Sequence, residues 1–303
     1  WNESGGEAHL VRDAQIESLI VSAEDGTTQS QDWHFLDRET CLACHNANAG
    51  FILGVNAEQL NRSLGDEQDE SPGNQLLDWS RSELFANPPE PEQLLELDRL
   101  VDPHNVAEDI DLRARSYLAA NCSACHREGG ARSKFFAEFD KTSDLNRLAQ
   151  KPQQGDFGLT DAGIITPGDP FRSVLYYRMA KLGQGRMPFV GAHNLDRAGL
   201  QLIREWIEQM EDDGQQPTLS LNQLHKKPAA SIEQMLSNTS EAFRLWQAVL
   251  DDKIQEPLRS QVIQAALTSE SPSVVELFEW FVEPQDRTQR LDENFDPLTI
   301  LAL

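Results

Sequence analysis

The chain carries two copies of one short pattern, Cys41-Leu42-Ala43-Cys44-His45 and Cys122-Ser123-Ala124-Cys125-His126. In a Cys-x-x-Cys-His pattern the two thiols form thioether bonds to the vinyl groups of a haem, and the adjacent histidine binds its iron. Cysteines three positions apart on one helical turn reach one edge of the porphyrin, and the next residue lies under the metal. The two boxes therefore predict two covalently bound haem c groups, with His45 and His126 as proximal ligands.

Zinc binding and thiol redox chemistry are the rival interpretations of these boxes. Four thiolates plus two histidines exceed the four ligands of one structural zinc, and a thioredoxin-like pair belongs to a βαβ pattern that the sequence lacks. We expect thioethers at all the cysteines of the chain, which are Cys41, Cys44, Cys122 and Cys125. No cysteine then remains for a structural disulfide.

Composition narrows the class of protein and its partners. The chain has 303 residues, of which 39% are hydrophobic, enough for two or three folded domains. Its 26 basic and 50 acidic residues give a net charge of −24, which disfavours binding to nucleic acid and to anionic membranes. No apolar run approaches the roughly 20 residues that cross a bilayer, so we expect no membrane span.

The cofactor also predicts the compartment. Haem is bonded through thioethers outside the cytoplasm, so we expect a periplasmic or extracellular protein. The sequence opens at Trp1 and closes on an apolar run, Pro297-Leu298-Thr299-Ile300-Leu301-Ala302-Leu303. We interpret it as a fragment of a longer secreted protein whose leader is not included.

Periodicity predicts a mainly α fold with two cytochrome c-like haem regions, a small N-terminal β-hairpin and a C-terminal helical connector. Asp25-Gly26 is the expected turn of the hairpin. The expected divisions are a truncated hairpin segment at 1–35, a first haem region at 36–106, a second, class I-like cytochrome c domain at 107–212, a polar linker at 213–230, and a helical connector at 231–303.

The second haem region has the clearest internal pattern. Helical segments at 112–120 and 200–210 are expected to cross near the haem edge, with Tyr117 and Trp206 in contact. Between them, Asp169 is the expected N-cap of a helix whose first residue is Pro170.

Each iron of an electron carrier needs a ligand on its far side. Met187 is the predicted distal ligand of the second haem, because Gly185 and Pro188 hold its loop out of helix; Met179 is the fallback. No methionine lies between His45 and the second box, so the first haem needs another ligand. The predicted ligand is His34, whose seven-residue connection to Cys41 spans roughly 23 to 25 Å when extended.

His104, His9 and an open coordination position remain alternatives for the first iron. Met/His ligation raises a haem potential relative to bis-histidine ligation, so electrons are expected to run from the first haem to the second. An open first iron would instead bind peroxide or a small gas.

Several stretches together resemble the multihaem cytochrome c modules of the planctomycete-type haem-binding family. The matching residues cover most of 1–212: Trp1-Asn2, Ala8 to Val11, Trp33, the first box with Asn46, Ala49 to Gly54, Gln59-Leu60-Asn61, Arg113 to Leu118 before Asn121-Cys122, Pro167-Gly168, Met187-Pro188 and Trp206-Ile207. Residues 274–303 resemble the leader of a further module. The resemblance implies a third box beyond residue 303 and, as partner, a quinone-dependent sugar dehydrogenase of the glucose/sorbosone type.

These observations predict an extracytoplasmic dihaem electron-transfer protein that works with a redox partner protein and is not an enzyme by itself. One alternative is a dihaem peroxidase with an open first haem, although boxes 81 residues apart are closer than we expect for that class. The other is a docking module in which haem is structural.

Overall fold

The computed structural model describes residues 4–8, 12–22, 26, 28–47, 50–53, 55–63, 73–87, 90–128, 130, 135–144, 148–188, 194–211 and 221–288. Over these residues the protein is mainly helical, with one two-stranded antiparallel sheet near the N-terminus. The helical class and the N-terminal hairpin are therefore confirmed. The assignment of two haem regions stays a prediction.

The sheet is a hairpin of β1 (Gln15–Ser22) and β2 (Thr28–Phe35), paired along their whole length. Leu, Ile and Val in β1 favour the extended backbone, because branched side chains fit a pleated surface. The connection contains Gly26 with a φ of 81°, which glycine adopts without a steric penalty. Asp25, the other residue of the expected turn, lies outside the described residues.

Helices account for most of the remaining regular structure. In the described part of the chain they are α1 (Arg38–Cys44), α2 (Ala57–Leu60), α3 (Gln75–Arg81), α4 (Pro91–Leu95), α5 (Ile110–Cys122), α6 (Val174–Ala180), α7 (Arg197–Glu208), α8 (Leu221–Lys226), α9 (Pro228–Leu236), α10 (Thr239–Leu250), α11 (Leu258–Leu267) and α12 (Pro272–Phe278). Short 3₁₀ turns occur at Lys141–Ser143, Pro170–Arg172, Glu279–Phe281 and Pro284–Asp286.

The chain divides into two compact units. The box unit comprises residues 39–145 and 201–206, and the terminal unit comprises 1–38, 146–200 and 207–303. Both Cys-x-x-Cys-His boxes fall in the box unit. This grouping follows backbone packing, whereas the domain divisions expected from the sequence follow cofactor attachment and stay predictions.

The box unit is built around α5. Asp109 caps this helix by accepting hydrogen bonds from the amides of Asp111 and Leu112, which satisfies donors that the first turn leaves unpaired. The inner face buries Leu118 and Tyr117. Trp206, also buried, donates from Nε1 to Oδ1 of Asp111 at 2.9 Å near the start of this helix. Its expected contact with Tyr117 stays a prediction.

The terminal unit has an aromatic core around α10. Phe243 is fully buried and its ring lies 5.0 Å from that of Tyr176 and 5.5 Å from that of Trp246. Such tilted and offset ring pairs stabilise a core beyond the apolar area that they bury. The C-terminal helices therefore share one core with the segment that contains α6.

Asp169 confirms its expected role as a cap, with one difference. Its side chain accepts a hydrogen bond from the Phe171 amide at 3.0 Å, but the element that it caps is the 3₁₀ turn Pro170–Arg172. The α-helix begins only at Val174, because Ser173 is extended with φ of −98° and ψ of 111°.

Within the described residues, no helix has the length and apolar character that crossing a membrane requires.

Candidate functional site

Each box forms one closed helical turn at the end of a helix. Box 1 (Cys41–His45) contains the last four residues of α1, and the amide of His45 donates to the Cys41 carbonyl at 2.9 Å. Box 2 (Cys122–His126) begins at the last residue of α5, and the amide of His126 donates to the Cys122 carbonyl at 2.8 Å. A closed turn places its first cysteine and its histidine on the same side, which is the arrangement that haem attachment needs.

The imidazole of His45 is oriented by a backbone carbonyl. Its Nδ1 lies 2.7 Å from the carbonyl oxygen of Phe51. A carbonyl oxygen only accepts, so Nδ1 must carry the proton, and the lone pair of the neutral ring is then on Nε2. Histidines that bind metals commonly donate their other ring N–H in this way, which fixes the tautomer and raises ligand basicity. The lone pair on Nε2 of His45 is thus available to bind a metal, and iron as that metal stays a prediction.

A strained turn brings the Phe51 carbonyl to His45. Gly50 and Phe51 have φ values of 68° and 63°, and the Phe51 amide donates back to the Asn46 carbonyl at 3.0 Å. A left-handed conformation is easy for glycine but costs about 1 kcal/mol or more for phenylalanine. Strain of this kind concentrates at functional sites. In the sequence, Gly50 was the only residue that indicated a left-handed turn at this position.

Large apolar side chains are exposed around box 1. Leu42, Phe51, Ile52 and Val55 are exposed to 48%, 57%, 73% and 59% respectively. Leu42 lies within the box, and the other three follow it in sequence. Exposed apolar groups in one short stretch mark a surface that binds an apolar partner, and the porphyrin ring has that character.

Box 2 is covered by the segment that follows it. The ring of His126 packs against that of Phe135 with centroids 5.3 Å apart, and the His126 carbonyl accepts from the Ala137 amide at 2.8 Å. Arg115 of α5 holds the end of the segment, because its Nη2 donates to the Phe139 carbonyl at 2.7 Å and its guanidinium lies 4.2 Å from the Phe139 ring centroid.

The thiol of Cys122 is not an activated nucleophile. Desolvation by burial raises the pKa of Cys122 to about 12, so the group is a neutral thiol at physiological pH. Reactive cysteines of thiol–disulfide enzymes have lowered pKa values. The environment of Cys122 therefore argues against the thiol redox interpretation of box 2.

Cys44 and Cys125 form a link that the sequence did not predict. Their Sγ atoms are in disulfide contact and their Cα atoms are 5.2 Å apart, within the usual range for a disulfide, while Cys41 and Cys122 carry free thiols. The expectation that no disulfide forms is wrong for the structure as it stands. Spacing could not reveal this pair, because four cysteines allow three connectivities.

The residues present fit a c-type haem at each box taken singly. The closed turns, the orientation of His45 and the apolar surroundings of box 1 all suit thioether attachment. One sulfur cannot belong to a disulfide and a thioether at once. Complete attachment at both boxes therefore requires the link between Cys44 and Cys125 to be open.

Met187 lies in a loop of the terminal unit that closes back on α6. Its amide donates to the Arg178 carbonyl at 3.0 Å, and its side chain is half-buried. Gly183 and Gly185 have φ values of 73° and 82°, as expected for a loop held out of helix. Met179 lies within α6 and is also half-buried. The role of Met187 as a distal ligand stays a prediction.

The candidate histidines for the first iron lie in different settings. His34 is half-buried in β2, opposite Ile16 of β1. His104 is exposed in a loop of the box unit, where its amide donates to Oδ1 of Asp102 at 2.8 Å. His9 lies outside the described residues. Nothing in these positions selects one of them, and His34 stays the predicted ligand.

Comparison of the chain with protein-family models, with curated proteins and with solved structures yields no match. Among the described residues, no group of three or more His, Cys, Asp and Glu side chains is placed to hold a metal ion between them. A haem iron needs no such group, because the porphyrin supplies four of its ligands.

Proposed function

We propose that the protein is an extracytoplasmic electron carrier with one haem c attached at each box. The observation that carries the proposal is the closed Cys-x-x-Cys-His turn, present twice, with the His45 imidazole oriented for metal binding by the Phe51 carbonyl. A solvent-exposed histidine needs no such orientation by a strained turn.

The boxes attach the cofactor by a reaction that needs no oxidant. A thiol reductant first has to supply two electrons and two protons to open the link between Cys44 and Cys125. Cys41, Cys44, Cys122 and Cys125 would then hold the haem through thioethers, each S–H adding across a vinyl double bond so that one C–S bond forms and the hydrogen moves to the neighbouring vinyl carbon. His45, through Nε2, and His126 would bind the iron. The bound group supplies one-electron oxidation and reduction, and the protein sets its ligands and burial.

The distal side distinguishes the two sites in this proposal. Met187 is the distal ligand of the second haem and His34 that of the first. Thioether ligation raises a reduction potential relative to imidazole ligation, so the first haem passes electrons to the second.

A donor and an acceptor complete the proposal. The resemblance to planctomycete-type multihaem modules supports a quinone-dependent sugar dehydrogenase as the donor, in the periplasm or outside the cell. The net charge of −24 suits a redox partner with a basic docking surface, because complementary charge accelerates association, and it disfavours nucleic acid as a partner.

Box-specific variants test the proposal. The double variants C41A/C44A and C122A/C125A are each exported together with a haem attachment system, and haem is quantified spectroscopically per chain. We expect two haems in the unchanged protein and one in each double variant. A redox titration of the unchanged protein should show two one-electron steps.

Two other results would point to the alternative functions. Peroxide turnover with a reduced dye, lost in C41A/C44A, would indicate a peroxidase with an open first iron. Haems that do not change oxidation state over the physiological range of potential would indicate a docking module.

A further inference from the structure

We propose that Glu276 and Trp280 are positioning residues for Met187: the C-terminal helices hold the loop that presents the distal sulfur. This inference rests on the proposed function, because it concerns the ligand of the second haem. All the residues involved belong to the terminal unit.

The loop 181–188 is closed by its own hydrogen bonds. Met187 donates its amide to the Arg178 carbonyl at 3.0 Å, and Nη1 of Arg178 donates to the Gly185 carbonyl at 2.8 Å. Nζ of Lys181 donates to the Gln184 carbonyl at 2.5 Å. The backbone at Met187 and just before it is thereby tied to Arg178 of α6 and to Lys181, the residue that follows this helix.

Glu276 of α12 holds the start of this loop with two different groups. Its carboxylate Oε2 lies 2.5 Å from Nζ of Lys181, in a pair whose side chains are only 14% and 1% exposed. Its backbone carbonyl accepts from the Leu182 amide at 2.9 Å. A buried ammonium needs a carboxylate and hydrogen-bond acceptors around it, so Lys181 fixes the loop to α12.

Trp280 provides a second attachment beside the first. Its indole Nε1 donates to the Ala180 carbonyl at 2.6 Å, one residue before the loop begins. Its ring lies 5.6 Å from the guanidinium carbon of Arg186, the residue before Met187, within the range of a cation–π contact. Trp280 therefore contacts the chain at both ends of the loop.

These contacts have a consequence for an iron ligand. A neutral thioether binds weakly, so its bond to iron depends on the protein holding the sulfur at the right place. Glu276 and Trp280 do not bind the metal. Removing their contacts with the start of the loop nevertheless lets the side chain of Met187 move away from the position of a ligand. If their role is only to stabilise the fold, any equal loss of stability in this unit has the same effect.

A matched pair of variants separates these two roles. Glu276→Gln removes the carboxylate charge at the loop, and Asp169→Asn removes the carboxylate charge of another buried pair in the same unit, Asp169 with Arg244. Trp280→Phe is a milder second variant, because it keeps an aromatic ring and removes the indole N–H together with the five-membered ring. All three are compared with the unchanged haem-loaded protein.

Two readouts are measured for each variant. Hydrogen exchange at the Leu182 and Met187 amides reports the opening of the loop through amide protection, a readout separate from the absorption of the haem. We expect it to rise by on the order of tenfold in Glu276→Gln and to change little in Asp169→Asn. The near-infrared absorption band of a methionine–iron bond should weaken in Glu276→Gln and Trp280→Phe and persist in Asp169→Asn.

Each contrary result overturns the inference. Unchanged exchange in Glu276→Gln and Trp280→Phe shows that these residues do not hold the loop. Faster exchange with an intact methionine–iron band shows that the loop does not govern ligation, and equal loss of the band in Asp169→Asn shows a general stability effect. If the unchanged protein has two haems but no methionine–iron band, the inference fails while the attachment of haem stands.

Discussion

A single hydrogen bond determines which nitrogen of His45 is available to a metal. Because the Phe51 carbonyl can only accept, Nδ1 is the protonated nitrogen and Nε2 is the free one. The sequence predicted His45 as a ligand but could not predict its orienting partner. That partner is a backbone atom, and its position depends on a left-handed phenylalanine that no propensity favours.

Replacing this histidine tests its role as a ligand. His45→Met exchanges the imidazole for a thioether while both cysteines of box 1 remain. We expect the chain to retain two haems and the reduction potential of one of them to rise, because thioether ligation favours ferrous iron. The control His225→Met alters an exposed histidine of α8. If both variants show the same potentials as the unchanged protein, His45 is not a ligand.

The link between Cys44 and Cys125 gives a second prediction for single residues. In protein made without haem and treated with oxidised glutathione, we expect these two cysteines in one disulfide-linked peptide pair, which haem-loaded protein should lack. Losing a link that closes 81 residues should lower the free energy of unfolding by about 4 kcal/mol.

Denaturant unfolding of Cys44→Ser in the haem-free protein measures this loss. Cys41→Ser is the matched control, because Cys41 is an exposed free thiol whose replacement should change stability by less than about 0.5 kcal/mol. Equal stabilities of the two variants, or a linked pair between other cysteines, would contradict the assignment.

At the scale of elements, α10 determines the core of the terminal unit. Every residue from Thr239 to Leu250 except Glu241 is buried, so this helix packs on all sides. The sequence predicted helices within 231–303 from periodicity, and the structure adds the cap of this one: the side chain of Asn238 accepts from the Glu241 amide. The sequence indicated only a connector here, because periodicity reports that a helix buries a face and not which distant segment covers it.

The aromatic core predicts a large effect of truncation. Phe243→Ala removes a fully buried ring that contacts several others, and we expect the free energy of unfolding to fall by about 3–5 kcal/mol. Ile20→Ala, at a side chain 72% exposed in β1, should cost less than about 1 kcal/mol. Urea unfolding followed by circular dichroism measures both. Similar costs would show that the core does not depend on Phe243.

The 3₁₀ turn at Pro170 is fixed to α10 by a buried ion pair. Nη2 of Arg244 lies 2.6 Å from Oδ2 of Asp169, and both side chains are at most 6% exposed. Asp169→Asn leaves the buried guanidinium of Arg244 with only the half-buried carboxylate of Glu241, 3.6 Å from Nε, so we expect a loss of about 3 kcal/mol.

An exposed ion pair provides the control for this prediction. Asp78 pairs with Arg81 at 3.2 Å, with side chains 44% and 72% exposed, so Asp78→Asn should cost about 0–1 kcal/mol. Equal unfolding midpoints for the two variants would contradict the structural role of the buried pair. The sequence predicted Asp169 as a cap from its neighbours, but its ion-pair partner is 75 residues away, beyond any local pattern.

Over the whole molecule, sequence patterns predicted the local elements but not the contacts between residues far apart in the chain. The hairpin, the helices and both boxes follow from spacing and turn residues within a few positions. The contacts that join distant parts of each unit do not: Cys44 with Cys125, Glu276 with Lys181, and Arg244 with Asp169. These contacts depend on how the helices pack against one another. The residue pattern of a single sequence does not predict that packing.

We propose that both boxes carry covalently bound haem. The most direct measurement is the intact mass of the unchanged protein, produced with an extracytoplasmic haem attachment system and then denatured and reduced. Thioethers survive this treatment, so we expect a mass increased by two haem groups. A mass equal to that of the polypeptide alone would contradict it.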